Sequence, residues 1–507
     1  MKNSFPILVA LAALIAGASS CQKDAQKSGD RPVNAGALAT ACPTGAPTTT
    51  VTLSGVISSS MTLSNNTLYK LQGLVYVTSP VGGPVTTLTI QAGTRIEGQA
   101  GVGSAPGGGL IITRGARINA EGNPTCPIVF TSYRQSLGTA QSGDWAGVIL
   151  LGAAPINTAT GATTARVEGI PDNAPASAEY GGTVCTDTSG IFKYVRIEYA
   201  GFALSANNEI NGLTLAGVGS GTVIDFVEAY KSNDDAFEFF GGTVNAKHLV
   251  SVDALDDMFD TDNGFRGSIQ YALGMSDTTR ADFSESNGIE SDNNSAGNGN
   301  LPQTKPVFSN MTIIGLPNAT LANRTNMPPT GTGLYGRFQI RRNSSYVLQN
   351  SVLLGFKKGI EVDGTASQLN WTNNSMCISH DLIHNYTDLN SCFLGSNPLV
   401  KPLLPAPAST IFYAPNGTTS TDEVADLKLK DPFNRSVAGF YMPVFSPQAA
   451  LNSPALSQPT SSSCLTVLCS GTNPVFTFDA PTFRGAFGRS DVAANNWATG
   501  WTKFSGQ

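Results

Sequence analysis

Two short stretches gather acidic residues at a fixed interval. "NDDAFEFFGG", from Asn233 to Gly242, is followed by "LDDMFDTDNG", from Leu255 to Gly264. Each holds an aspartate pair, a variable residue, a phenylalanine and a third acid. These are Asp234, Asp235 and Glu238 in the first copy and Asp256, Asp257 and Asp260 in the second, offset by 22 residues. Like charges ~5 Å apart repel by about 3 kcal/mol per pair at an effective dielectric of ~20, so such a grouping needs an answer. The acids can splay into water. They can share protons or cap backbone amides. Or they can hold a hard cation such as Ca²⁺, which takes six to eight oxygens at ~2.3–2.6 Å.

The elements that position these acids are legible from repetition. "FKYVRIEYAG" (from Phe192), "IDFVEAYKSN" (Ile224), "AKHLVSVDAL" (Ala246), "IQYALGMSDT" (Ile269), "FSNMTIIGLP" (Phe308) and "LQNSVLLGFK" (Leu348) align as one unit. Each has an apolar residue, a spacer, then Tyr, Phe, His or Asn, then mostly apolar residues. The intervals are 32, 22, 23, 39 and 40 residues, as expected for a unit of about 22 carrying insertions. That unit is too short for a tetratricopeptide or propeller blade and lacks a leucine ladder. It fits one coil of a parallel β-helix, whose short strands pair with the coils above and below at ~4.8 Å. Hairpin signals are scarce, which argues against a sandwich.

A second register follows. "AFEFFG" lies over "MFDTDN", "GIESDN", "RFQIRR" and "GIEVDG". Strand alternation puts Phe237, Phe259, Ile289, Phe338 and Ile360 in one inward column, with Phe239, Thr261, Ser291, Ile340 and Val362 beside it. The outward columns are Glu238, Asp260, Glu290, Gln339, Glu361 and Phe240, Asp262, Asp292, Arg341, Asp363. At the preceding corner Asp234-Asp235 lies over Asp256-Asp257, then Ser286-Asn287, Tyr335-Gly336 and Lys357-Lys358. Acids are concentrated on adjacent coils and bases arrive further along.

Composition agrees with a turn-rich all-β chain. Of 507 residues, 54 are glycine, and charged residues are 13%, about half the usual ~25%. A net charge of −6 with no basic run excludes nucleic acid as a partner. No phosphate loop, dinucleotide fingerprint or Ser-His-Asp set is present. His380 and His384 lie four apart but in a coil and bend, and His248 occupies the Tyr/Phe/Asn position of the repeat, a structural place. Trp497 and Trp501 either stack on sugar rings or close the end of the coils; closure is expected, because an open coil edge invites aggregation.

The N-terminus reads as an export signal over residues 1–20: a Lys2 n-region, the apolar run "FPILVALAALIAG" and "ASSC" ending at Cys21. This resembles a bacterial lipobox, with Cys21 lipidated and residues 21–47 a polar tether. Gln22-Lys23-Asp24 resembles a surface-export signal. The same three residues read equally as plain polar tether, so the expected location is a lipid anchor in the outer membrane, with exposure at the cell surface left open. Among the other cysteines, sequence proximity suggests Cys377 with Cys392 and Cys464 with Cys469.

"LIITRGARINAEG", "PIVFTS", "GDWAGVILLG", "KYVRIEYAG", "FEFFGGTVNAKHLV" and "FDTDNGF" resemble an exported β-helix lipoprotein family of Gram-negative bacteria, mostly of unassigned function. The resemblance implies a right-handed, pectate-lyase-like parallel β-helix. The expected layout is a β-helix over 48–401 and a less regular region over 402–507 that caps it. Calcium-dependent polyuronate lyases on this fold hold Ca²⁺ with an acid cluster while a Lys or Arg removes the proton alpha to the substrate carboxylate. "DDMFD" resembles the acid motif of one such family. The implied ligands are Asp234, Asp235, Asp256, Asp257, Glu238 and Asp260; the implied bases are Lys358, Arg337 and Arg341. Against this, Arg341 can pair with Asp292 or Asp363, and the register puts Lys358 several coils from the acids. A glycosidase pair of carboxylates is also open. The expected function is a glycan-binding or structural envelope protein, with a calcium-dependent polysaccharide lyase as the alternative.

Overall fold

The computed structural model describes Cys42 and residues 45–101, 107–205, 208–395, 409–415, 423–446, 452–457, 464–467, 469 and 475–504. The export signal, Cys21 and the tether as far as Ala41 lie outside the described residues. No helix among the described residues is long and apolar enough to cross a membrane.

Short strands rich in Val, Ile and Phe pair with their equivalents one coil away. Twenty-six of them make a single sheet, wound as a right-handed parallel β-helix. The one antiparallel strand pair among the described residues is Ala203–Ser205 with Asn208–Glu209. Phe192 sits opposite Ile224, which is followed by Ala246, Ile269, Phe308 and Leu348 in one unbroken register. The uneven sequence intervals are therefore insertions between coils.

The Tyr, Phe, His or Asn of each repeat is the corner of its coil. Tyr194, Phe226, His248, Tyr271, Asn310 and Asn350 have φ between 49° and 62°. Asn tolerates that left-handed region; an aromatic residue needs its surroundings to impose it. Here stacking does so, with ring centroids 4.3 Å apart for Tyr194–Phe226, 4.1 Å for Phe226–His248 and 5.2 Å for His248–Tyr271. His248 Nδ1 also lies 2.8 Å from Asp225 Oδ1.

Inside, Phe237 and Phe259 stack at 5.4 Å, 5° from parallel, and continue through Ile289, Phe338 and Ile360, all buried. Each buried ring contributes roughly 2–3 kcal/mol. In the neighbouring column Thr261 Oγ1 donates to Ser291 Oγ at 3.0 Å, so the polar pair in the core satisfies itself.

The region after 401 departs from expectation. Ile411–Tyr413 still pairs with Leu382–His384, so the coil stack continues past 401. Beyond Tyr413, the described parts lie along the flank of the coils. Parallel sheets need both faces covered, and Val250, Val252, Leu273 and Met275 form an outward apolar strip that the C-terminal residues bury. Trp501, fully buried, packs edge-on against Tyr194 and Phe226, and Trp497 against Phe226 and His248. The tryptophans therefore close the flank and not the end. His384 is buried and its Nδ1 accepts from Gly355 N at 3.2 Å, while His380 is a left-handed corner.

The expected disulfides are corrected. The bridges are Cys42–Cys126, Cys185–Cys469 and Cys377–Cys464, and Cys392 is free. Cys392 lies in the core of the last coils, where burial pushes its thiol up to about 12. The cysteines of the C-terminal region instead reach coils distant in sequence, tying it to the β-helix.

Candidate cation site on the acid ladder

The acids sit on one sheet of the β-helix. Strand Phe237–Phe240 pairs with Phe259–Asp262, which puts Glu238 opposite Asp260 and Phe240 opposite Asp262. Asp260 then faces Glu290, Glu290 faces Gln339, and Gln339 faces Glu361. The predicted outward columns have this register. Their surroundings differ from an open face: Asp235, Glu238, Asp257 and Glu290 are buried, and Asp234, Asp256 and Asp260 half-buried.

Two features that sequence reasoning missed account for the burial. The long connection between Leu151 and Gly190 folds back over the sheet, where Ile156, Val167, Ile170 and Tyr180 form an apolar cluster with Ile149, Leu151 and Phe240. The second is the antiparallel pair of Ala203–Ser205 with Asn208–Glu209, whose flanking Phe202 and Ile210 join the same cluster; Glu168 on the first and Glu209 on the second both act on Asp234. The signal available was the length of a connection without regular structure, a feature common at functional loops.

The two members of each aspartate pair do different work. Asp235 Oδ1 accepts from Asp257 N at 2.8 Å. Asp257 Oδ1 accepts from Asn287 N at 2.6 Å, and Asn287 Oδ1 from Arg337 N at 2.9 Å. The inner acids thus cap the corner of the next coil, and an amide takes over where the pair ends. Asp234 and Asp256, the outer members, cap no such backbone; Asp256 accepts from Ser284 Oγ at 3.1 Å.

None of Asp234, Asp235, Glu238, Asp256, Asp257 or Asp260 makes an ion pair with Lys or Arg among the described residues. Their carboxyls are accordingly pushed far above the usual carboxylate range. Burial does most of this. Next come Asp234, Asp257 and Asp260 for Asp235, and Asp260 and Glu168 for Glu238. For Asp260 they are Glu290 and Asp262. Burial and Asp292 raise Asp262 to about 7.

The donor set fits a hard cation. Asp234, Asp235 and Asp256 each offer an oxygen within 4.8 Å of the others, and so do Asp235, Glu238 and Asp260. Ligands across a Ca²⁺ ion lie roughly 4.6–5.2 Å apart, twice the metal–oxygen distance. Asp235 belongs to both sets. Two oxygens nearby have no hydrogen-bond partner among the described residues: Asp260 Oδ1, and Oδ1 of the buried Asn211, whose amide nitrogen donates to Glu238.

The candidate bases are placed elsewhere. Arg341 pairs with Glu290 and, through Nε at 2.9 Å, with Asp292. Burial favours its neutral form, but Glu290 and Asp292 outweigh it and raise its pKa above the usual arginine value. Arg337 pairs with Glu285 and Glu361, and Lys358 Nζ lies 3.3 Å from Glu361. The structure therefore joins five of the six acids into two triplets that share Asp235, places Asp257 beside them as a corner cap, and leaves the three cations in ion pairs further along the ladder.

A family model described as a pectate-lyase like beta helix domain matches residues 55–395. The chain belongs to this family. The match takes in every coil of the acid ladder, and a pectate-lyase-like β-helix is compatible with glycan binding or degradation. No curated protein and no solved structure matches the chain.

Proposed function

We propose that the protein is a lipid-anchored outer-membrane or cell-surface protein that binds glycan on its β-helix, with Ca²⁺ held by Asp234, Asp235, Glu238, Asp256 and Asp260 and with Asp257 holding the coil corner beside them. The observation that carries this is the packing of six carboxylates on adjacent coils, none of which makes an ion pair with Lys or Arg among the described residues. A bound divalent ion supplies the missing charge and leaves coordination positions for sugar oxygens. The lipobox-like "ASSC" supports the anchor at Cys21. Binding is favoured over lyase chemistry because Arg337 and Arg341 are committed to carboxylates, and a protonated guanidinium takes no proton.

The test is a glycan panel probed with the purified protein, with and without Ca²⁺ and chelator. Calcium-dependent retention of a glycan without cleavage supports the reading. An unsaturated, ultraviolet-absorbing product would establish the lyase instead. If chelator lowers only the melting temperature and no glycan is retained, the ion is structural and the reading fails.

A further inference from the structure

The corner column that carries Asp234-Asp235 and Asp256-Asp257 changes sign further along the stack. Ser286 is bridged to Tyr335 in parallel register, and one coil on stand Lys357 and Lys358. There a cavity of about 100 Å³ opens, several waters' worth of space, lined by Arg324, Arg337, Lys357, Lys358, Glu285 and Tyr335 among others. Four cations meet around it. Arg337 is fixed from behind by Glu285 and Glu361, and Lys358 by Glu361 at 3.3 Å. Arg324 and Lys357 are exposed and make no ion pair among the described residues. Two carboxylates thus answer four positive groups, in a chain whose overall charge is −6. The rest of the lining does not reverse that balance: the hydroxyl of Tyr335, a residue 4% exposed, has no hydrogen-bond partner among the described residues.

We infer that this cavity is a subsite for an anionic substituent, a carboxylate or a sulfate, on the glycan. Arg324 and Lys357 clasp the anion, and Arg337 and Lys358 supply a pre-set positive floor. A guanidinium offers paired N–H groups that match the oxygens of either anion, and a lysine ammonium adds a point charge. The cavity lies three coils from Asp256 by the corner register, about 14 Å at the spacing of neighbouring strands. One oligosaccharide can then touch the cation site and this cavity together. The inference rests on the glycan-binding reading for its ligand, not for the anion affinity itself.

The experiment uses the full chain and the double variant Arg324→Ala/Lys357→Ala, both positions being exposed. Calorimetry at constant ionic strength measures binding of inorganic sulfate and, separately, of glucuronate; thermal unfolding with and without Ca²⁺ checks that the variant is folded. The expected result is saturable binding of at least one anion, weakened roughly tenfold or more in the variant, with the calcium response unchanged. The stronger of the two anions identifies the substituent. Absence of saturable binding to both, or equal binding by the variant, overturns the subsite. If neutral glycans bind while the anions do not, the subsite alone falls. If the anions bind but no glycan in the panel does, the subsite stands and the glycan-binding reading falls.

Discussion

Two halves of one ladder meet the same electrostatic problem in opposite ways. On the coils of Asp234 to Asp260 the carboxylates stand together, and none makes an ion pair with Lys or Arg among the described residues. On the coils of Glu285 to Glu361 the same columns continue, but Arg341 joins Glu290 to Asp292, Arg342 reaches Asp292 Oδ2 at 2.6 Å, and Arg337 joins Glu285 to Glu361. Backbone pairing and strand direction are the same in both halves. The fold therefore does not require bare acids: a buried acidic column can be neutralised from within the chain, and further along it is. The uncompensated half is the place where the proposed Ca²⁺ would complete the charge.

The sharpest way to break this comparison is to strip the neutralised half. Replacing Arg341 by Met keeps the volume and leaves the buried Glu290 and Asp292 without that partner. Removing one member of a buried pair costs about 3–5 kcal/mol, and chemical denaturation should show a loss of that order. Calcium should recover part of the loss if the stripped coils then behave like the acid-only ones. A loss below about 1 kcal/mol would show that the arginines do not carry the neutralisation.

The next effect belongs to the acid-only half. A ligand that binds only the folded chain stabilises by about 2.7 kcal/mol at a hundredfold excess over its Kd. Chelator-treated protein should gain thermal stability with Ca²⁺, and Asp235→Asn, at the residue common to both ligand triplets, should lose most of that gain. An equal gain in the variant would place the ion elsewhere.

A smaller effect lies in pH. Asp262 is raised to about 7 by burial and the neighbouring Asp292. Between about pH 4 and 7 the folded chain therefore holds protons that the unfolded chain has released. Stability of the metal-free protein must then fall as pH rises through that window, by about 1–2 kcal/mol once partial exposure is allowed for. Saturating Ca²⁺ should flatten or reverse the slope, because the charge of a nearby cation favours the ionised carboxylate. A metal-free profile that rises from pH 5 to pH 7.5 would mean the acids are charged and solvated.

The ladder and the coil register were legible in the sequence for a physical reason. Alternation assigns Phe237 and Glu238 to opposite faces, and the left-handed corner admits a short list of residue types, so Tyr194, Phe226, His248 and Asn310 mark each coil. The cover over the acids was not legible. The connection between Leu151 and Gly190 has no period, so nothing in it states which face it folds over. The bridges Cys185–Cys469 and Cys377–Cys464 join residues far apart in the chain, and connectivity is not encoded in spacing. Arg341 shows the intermediate case: its pairing with Asp292 follows from the register, its bond to Glu290 from a side-chain path that the register leaves open.

The smallest expected effect isolates the outer member of an aspartate pair. Asp256 caps no backbone of the next coil, and its neighbours Asp234, Asp282 and Glu290 all repel it. Asp256→Asn keeps an oxygen for the Ser284 hydroxyl and removes the repulsion. Without metal it should stabilise the protein by about 0.5–1 kcal/mol, the scale on which partly exposed charges interact. With saturating Ca²⁺ the sign should invert, because the variant has lost a charged ligand that the wild type uses. Asp257→Asn is the control, since Asp257 belongs to neither ligand triplet and its amide oxygen still caps Asn287 N. Thermal unfolding of the three proteins with and without the ion gives the answer: a variant that is destabilised in both conditions would make Asp256 a structural acid, and the two halves of the ladder would then differ in their partners but not in their purpose.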